Sequence, residues 1–388
     1  MKKVYLDYSA TTPVRKEVAD LVMEYMVDKF GNPSSVHSFG REAKKALDEA
    51  RVRLANLIGA EPKEIYFTSG GTESDNMAIL GAAFANSKKG KHVITSAIEH
   101  HAVMDPCKYL EQQGFEVTYL PVDGQGLVSV EDLKKAIKPE TILISIMHVN
   151  NEIGTIQDIG SMAKLARDKG ILFHTDAVQS LGKIPINVKE LNIDMLTGSS
   201  HKIYGPKGVG VLYVRKGVKL DNIMYGGAQE RKKRPGTENL SSIAGFGLAA
   251  ELAGKEIDEE NKRQRAFRDK LIKGILESIP NTRLNGHPEK RIASNVNVSV
   301  EFIEGESLLL SLDMKGIGAS SGSACTSGSL DPSHVLLATG LSHEIAHGSL
   351  RMTLGRYTTE AEIDYVLEVL PQVVDRLRAM SPLYNNNK

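Results

Sequence analysis

Thr197-Gly198-Ser199-Ser200-His201-Lys202-Ile203-Tyr204-Gly205-Pro206-Lys207-Gly208 is the stretch on which the fold turns. Upstream of it, the apolar run Ile171-Leu172-Phe173 ends in His174-Thr175-Asp176-Ala177-Val178-Gln179. The upstream segment reads as a short strand delivering an aspartate, the downstream one as a second strand delivering Ser-x-His-Lys. Working outward, Ile65-Tyr66-Phe67, His92-Val93-Ile94, Val117-Thr118-Tyr119 and the run Ile142 to Ile146 read as further apolar strands. Helical patterns lie between them, such as Ile159, Met162, Ala163 and Ala166, closed by Gly170. This alternation predicts an α/β fold with a mostly parallel sheet covered by helices on both faces.

The flanks complete the outline. Val14, Val18, Leu21, Val22, Tyr25 and Met26 recur at helical spacing until Gly31-Asn32-Pro33, and a second helix runs from about Arg41 to Ile58, where Gly59 ends it. A chain of 388 residues predicts two domains. The charged stretch Glu256 to Arg268 is expected to be a long exposed helix joining them. Asn295-Val296-Asn297-Val298-Ser299-Val300 alternates with period two, as a half-buried strand of a smaller α+β domain does. The polar tail Asn385-Asn386-Asn387 is expected to fray.

Composition excludes several function classes. Lys+Arg and Asp+Glu cancel at 48 each, so no global field attracts nucleic acid or an anionic membrane. Arg231-Lys232-Lys233-Arg234 is the one basic cluster and reads as a solvated loop. The start has no apolar signal region, and no apolar stretch approaches the ~18 residues of a membrane span. Two cysteines, Cys107 and Cys325, form no disulfide framework. The expectation is a soluble, cytoplasmic protein.

The chemistry-bearing residues follow. Ile65 to Ser69 runs into Gly70-Gly71-Thr72-Glu73 with a helix starting near Ser74, and such a junction offers N–H groups and a helix dipole to an anion. An aspartate and a lysine on neighbouring strand ends are the groups a pyridoxal phosphate (PLP) site needs. The carboxylate keeps the pyridine nitrogen protonated and the lysine forms the Schiff base. Cys325 lies among small residues, Ala319-Ser320-Ser321-Gly322-Ser323-Ala324-Cys325-Thr326-Ser327-Gly328-Ser329, as a mobile thiol-bearing loop does. His343-Glu344-Ile345-Ala346-His347 fits a zinc-protease pattern. Gly348 follows at once and no third ligand stands at a known spacing, so no metal is expected. Cys107 reads as packing and His101 as a helix-surface residue.

On these motifs the chain resembles a cysteine desulfurase of the NifS/IscS type, within the class V aminotransferase family. The resemblance runs from Tyr5-Leu6-Asp7 to Leu354-Gly355-Arg356. It implies the aspartate-aminotransferase type of PLP fold, with a large cofactor domain over 15–258 and a small domain of 1–14 plus 259–388 that carries the Cys325 loop. It implies that Gly71, Thr72, Ser199 and His201 hold the phosphate, with Thr237 supplied by the neighbouring subunit of a homodimer. It assigns His100 to stacking over the ring and to proton transfer, Asn151 and Gln179 to hydrogen bonds with the cofactor, and Asp176 to the ring nitrogen. It implies that Arg351, helped by Asn32, clamps the substrate carboxylate. L-cysteine would become alanine, with a persulfide on Cys325 passed to an acceptor such as an iron–sulfur scaffold or a thiolation pathway. Tyr8, Ser9 and Pro235 depart from the family pattern at positions expected to carry no chemistry, and the short terminus leaves scaffold docking open. The alternatives are a class V aminotransferase or selenocysteine lyase, which would not depend on Cys325, and a catalytically silent sulfur-scaffold binder.

Overall fold

The computed structural model describes residues 3–321 and 332–385. Cys325 and the tail residues Asn386 and Asn387 lie outside that range. The chain opens with β1 (Val4–Tyr5). The expected strands follow as β2 (Ile65–Thr68), β3 (His92–Ser96), β4 (Glu116–Leu120), β5 (Thr141–Ser145), β6 (Leu172–Asp176), β7 (Met195–Ser199) and β8 (Gly210–Val214). These seven form one sheet in the order β2-β8-β7-β6-β5-β3-β4. Only β8 runs against its neighbours, pairing antiparallel with both β2 and β7.

Alternate residues of each strand point to opposite faces, and here both faces are dry. Ile144, Phe173, Leu196 and Tyr213 pack with Leu47, Leu54 and Phe246 on one side. Leu143, Met195 and Leu212 pack with Ile79, Val103 and Leu110 on the other. Two-sided burial is why these strands read as continuous apolar runs rather than alternating ones. Because the other six strands are co-directional, their C-terminal ends open on one edge of the sheet, where open α/β sheets bind ligands.

The second unit contains β9 (Thr282–Leu284), β10 (Asn295–Val300), β11 (Ile317–Gly318) and β12 (Ser349–Thr353). The order β12-β10-β9 makes an antiparallel sheet, and β11 pairs with β1. Val4 and Leu6 therefore join a core with Val298, Leu350, Ile363 and Leu370, far from their neighbours in sequence. Two expectations need correction. The joining helix is not confined to the charged stretch: it spans Leu240–Ser278, with Ile243 and Phe246 in the first core and Leu271 and Ile275 in the second. The expected boundary at 258 lies within this helix, between the part that packs in the first core and the part that packs in the second. Strand β10 is not half-buried but buried throughout. Its polar face packs inward because amides satisfy it: Asn285 Nδ2 donates to Asn297 Oδ1 (2.8 Å), and Asn295 and Asn297 both donate to the Glu152 carbonyl.

Candidate active site

Strand β7 passes into a tight turn over Ser200–Lys202 that presents Lys202 at the sheet edge. Its Nζ donates to the carbonyls of Ser9 (2.5 Å) and Ala10 (2.8 Å). Position 9 therefore meets the lysine through its backbone carbonyl, a contact that does not depend on the side chain there. The N-terminal segment is fixed there by Ser9 N–H donating to Thr353 Oγ1 (2.8 Å) and Thr12 Oγ1 donating to the His201 carbonyl (2.9 Å).

Strand β6 ends on Asp176, buried, with Oδ1 accepting from the Val178 N–H at 2.8 Å. Burial raises its pKa, while His100, the Val178 N–H and Lys202 pull it back. A second carboxyl that sequence reasoning missed, Asp75, lines the same cavity at 1% exposure, with Oδ1 making no hydrogen bond and lying 3.6 Å from His174 Nε2. Burial and then the Asp176 charge push Asp75 well above the carboxylate range. Two buried carboxyls that feel each other's charge resist ionising together, and His100, the Val178 N–H and Lys202 favour the charged form at Asp176.

His100 caps the helix His101–Gln112 with its own ring: Nδ1 accepts from the Ala102 N–H at 3.1 Å. That bond leaves Nε2 to carry the proton of the neutral ring, and burial lowers the pKa. His101 is not a plain surface residue. It lines the cavity with its ring centroid 5.2 Å from that of His334.

The anion cup differs in register from expectation. The helix begins at Gly71, three residues before Ser74, which places more of its free N–H groups at the sheet edge. A Cβ at Gly71 would meet Val178 Cγ2 at 2.8 Å and Ser199 Cβ at 3.8 Å, and one at Gly210 would meet the Gly70 backbone at 2.5 Å. Glu73, an acid in this first turn, is turned to Ser69 N–H (3.0 Å) and the Arg234 guanidinium (2.7 Å). The basic cluster is solvated only in part: Arg231 and Lys232 are exposed, while Arg231 also stacks on Tyr66 at 4.0 Å and Lys233 Nζ donates to the Leu220 carbonyl at 2.6 Å.

Arg351 on β12 is 3% exposed. Nη2 meets Asp7 Oδ1 and Nη1 donates to the Asn151 carbonyl, each at 3.0 Å, while Nε is unpartnered. Gln179 Nε2 donates to the Ser9 carbonyl at 3.0 Å. His201 Nδ1 lies 3.2 Å from Thr11 Oγ1, and burial with nearby lysines pushes its pKa down to about 4.

One cavity of about 450 Å³ joins these groups. Gly71, Thr72, His100, Asn151, Asp176, Gln179, Ser199, His201, Lys202 and Arg351 all line it. Asn32 and Thr237 do not: both are exposed, and Asn32 Oδ1 accepts from the Ser34 N–H at 2.9 Å. His343 and His347 are also exposed, on a five-residue helix.

The aminotransferase class-V family pattern matches residues 4–366. The chain belongs to the class-V aminotransferase family. This class-V chain is 60% identical over 382 residues to the cysteine desulfurase IscS of Methanosarcina thermophila, covering 98% of the chain and 94% of that protein. It is 55% identical to the cysteine desulfurase IscS of Dictyoglomus turgidum, covering 98% and 97%. A solved NifS-like protein superposes with a TM-score of 0.91 at 38% identity, covering 97% of this chain and all of the other.

Class-V enzymes of this kind use PLP, and the side chains here suit it. The volume is in the roughly 300–1,000 Å³ range of small-molecule pockets. One wall has a glycine where a Cβ would collide, beside Thr72, Ser199 and His201, whose side chains are able to donate to a phosphate. Asp176 is a buried carboxylate suited to a protonated ring nitrogen, and Lys202 is the amine suited to the aldehyde.

Proposed function

We propose that Lys202, Asp176, His100, Arg351 and Cys325 carry the desulfuration of L-cysteine, in a chain that is a PLP-dependent cysteine desulfurase. The convergence of Lys202, Asp176, His100 and Arg351 on one cavity supports these roles. Bound PLP supplies an electron sink for the charge left at the substrate Cα. Gly71, Thr72, Ser199 and His201 would hold its phosphate, Asn151 and Gln179 its polar edge, and Asp176 the proton on its ring nitrogen. Arg351 takes the substrate carboxylate with its planar fork. Lys202, its amine free once substrate is joined to the cofactor, removes the α proton. His100 accepts and returns a proton at the substrate thiol through Nε2.

Cys325 then attacks the substrate sulfur. An S–S bond forms as the substrate C–S bond breaks, the electron pair stays on the substrate carbon and is protonated, and alanine leaves. The Cys325 persulfide passes to an acceptor protein such as an iron–sulfur scaffold.

The same reading takes the chain as a cytoplasmic homodimer, with a large domain over 15–258 and a small one of 1–14 plus 259–388. Clustering of Val4 and Leu6 with the C-terminal core supports the division. Met23, Met26, Phe30 and Val36, at 60–89% exposure beside Asn32, are an apolar surface suited to a second copy. In that assembly Thr237 reaches the partner's phosphate.

L-cysteine added to the holoenzyme with a reductant should yield alanine and sulfide in equal amounts. Borohydride reduction and peptide mapping should place the pyridoxyl group on Lys202. A label on any other lysine removes the assignment.

A further inference from the structure

Lys202 also lines a second, inner cavity of about 50 Å³, room for a few waters and no ligand. The other lysine on that cavity is Lys183, part-buried in the turn after β6. Its Nζ lies 3.5 Å from Gln179 Oε1. Gln179 Nε2 donates to the Ser9 carbonyl (3.0 Å), which also accepts from Lys202 Nζ (2.5 Å). Asn261 Nδ2 fixes the turn by donating to the Lys183 carbonyl at 2.7 Å.

The charged groups around Lys183 leave it without a counter-ion. Glu256 is engaged by Arg15 at 2.8 Å and by Arg356. Glu260 is engaged by Arg263 and Gln264, each at 2.8 Å. The Tyr8 and Tyr204 phenols are raised by burial and stay neutral, as does His201, brought down to about 4. Among the described residues no carboxylate comes within ion-pair distance of Lys183. Burial, and then Lys202, bring its own pKa down to about 7.

The Ser9 and Ala10 carbonyls would by themselves favour an ammonium at Lys202, and an ordinary lysine near pKa 10.4 is almost wholly protonated at neutral pH. A neutral amine there needs an opposing influence. We propose that Lys183 is a positioning residue whose amine, set behind Gln179 and the Ser9 carbonyl, competes with Lys202 for one proton, so that a proton on either disfavours a proton on the other and Lys202 is more readily neutral than it would be alone. The inference rests on Lys202 bearing the cofactor.

The test is a spectrophotometric pH titration of the holoenzyme, following the visible band of the Lys202–cofactor linkage. In the parent, two interacting protons spread the transition over a wider pH range than one ionisation. Lys183→Met should sharpen it and raise its midpoint by about 0.5–1 pH unit, since removing a neighbouring cation favours the protonated linkage. Lys183→Gln should do the same, and Lys183→Arg should titrate at or below the parent midpoint. Neutral variants within about 0.2 unit of the parent would overturn the proposal alone. A parent lacking the band would overturn it together with the role of Lys202.

Discussion

Arg351, which lines the cavity, and Asp7, 344 positions away in the chain, meet at 3.0 Å. The contact exists because the N-terminal segment lies along β12, with Asp7 bridged to Thr353. Within three further residues the same segment gives its Ser9 and Ala10 carbonyls to Lys202. The proposed substrate clamp and the proposed cofactor lysine are thus tied to one short piece of backbone.

Arg351→Lys should raise KM for cysteine by about 10–100-fold, the equivalent of one charged hydrogen bond, with a smaller change in kcat. An ammonium keeps the charge but lacks the fork. Steady-state kinetics check this; an unchanged KM would place the carboxylate elsewhere.

Gly71→Ala should weaken cofactor retention by roughly tenfold, from about 1–3 kcal/mol of crowding. The new methyl would sit 2.8 Å from Val178 Cγ2, and Val178 is β-branched and stiff. PLP release on dialysis, followed by absorbance, measures the effect, and parent-like retention would show that the cup tolerates a side chain.

Cys325→Ala should keep the visible absorbance of bound PLP and lose sulfide release from cysteine. Full sulfide yield from this variant would refute the persulfide step.

Glu99 makes stability pH-dependent. Burial pushes its carboxyl from 4.5 to about 8, and Oε1 accepts from Ser96 Oγ (2.6 Å) and the Met147 N–H (3.0 Å). The folded state holds this proton where the unfolded chain has lost it. Its contribution is therefore complete below 4.5 and is lost as pH rises through about 8. His148 and His174, lowered by burial to about 4 and about 3, act in the opposite sense. They favour folding above 6.5 and lose that contribution as pH falls through their folded values. Denaturant titrations of Glu99→Gln should show a flatter fall in stability between pH 5 and 8 than the parent, by an amount on the order of 1 kcal/mol per pH unit. Parallel curves would mean that Glu99 is already ionised at pH 5.

Much of the site was legible because its signals are local. Strand-end Asp176 and Lys202 and the Gly70-Gly71-Thr72 turn each announce themselves within a dozen residues, whereas Arg351 was reached only through the family resemblance. Asp75 gave no such signal, since one turn into a helix it reads like any solvent-facing acid. Ser9 and Ala10 act through carbonyls, which every residue has. Lys183 looks like a surface lysine until Glu256 and Glu260 prove to be engaged by arginines.

Apolar periodicity and punctuation by glycine determined the strands, the helices and the mostly parallel sheet, because burial on two faces selects residue types position by position. Only tertiary structure decided which termini share a core, that the polar face of β10 is buried, and that Asp7 and Ser9 reach Arg351 and Lys202. Those contacts depend on how separated segments pack and on which buried polar groups find partners, and no window of neighbouring residues contains that information.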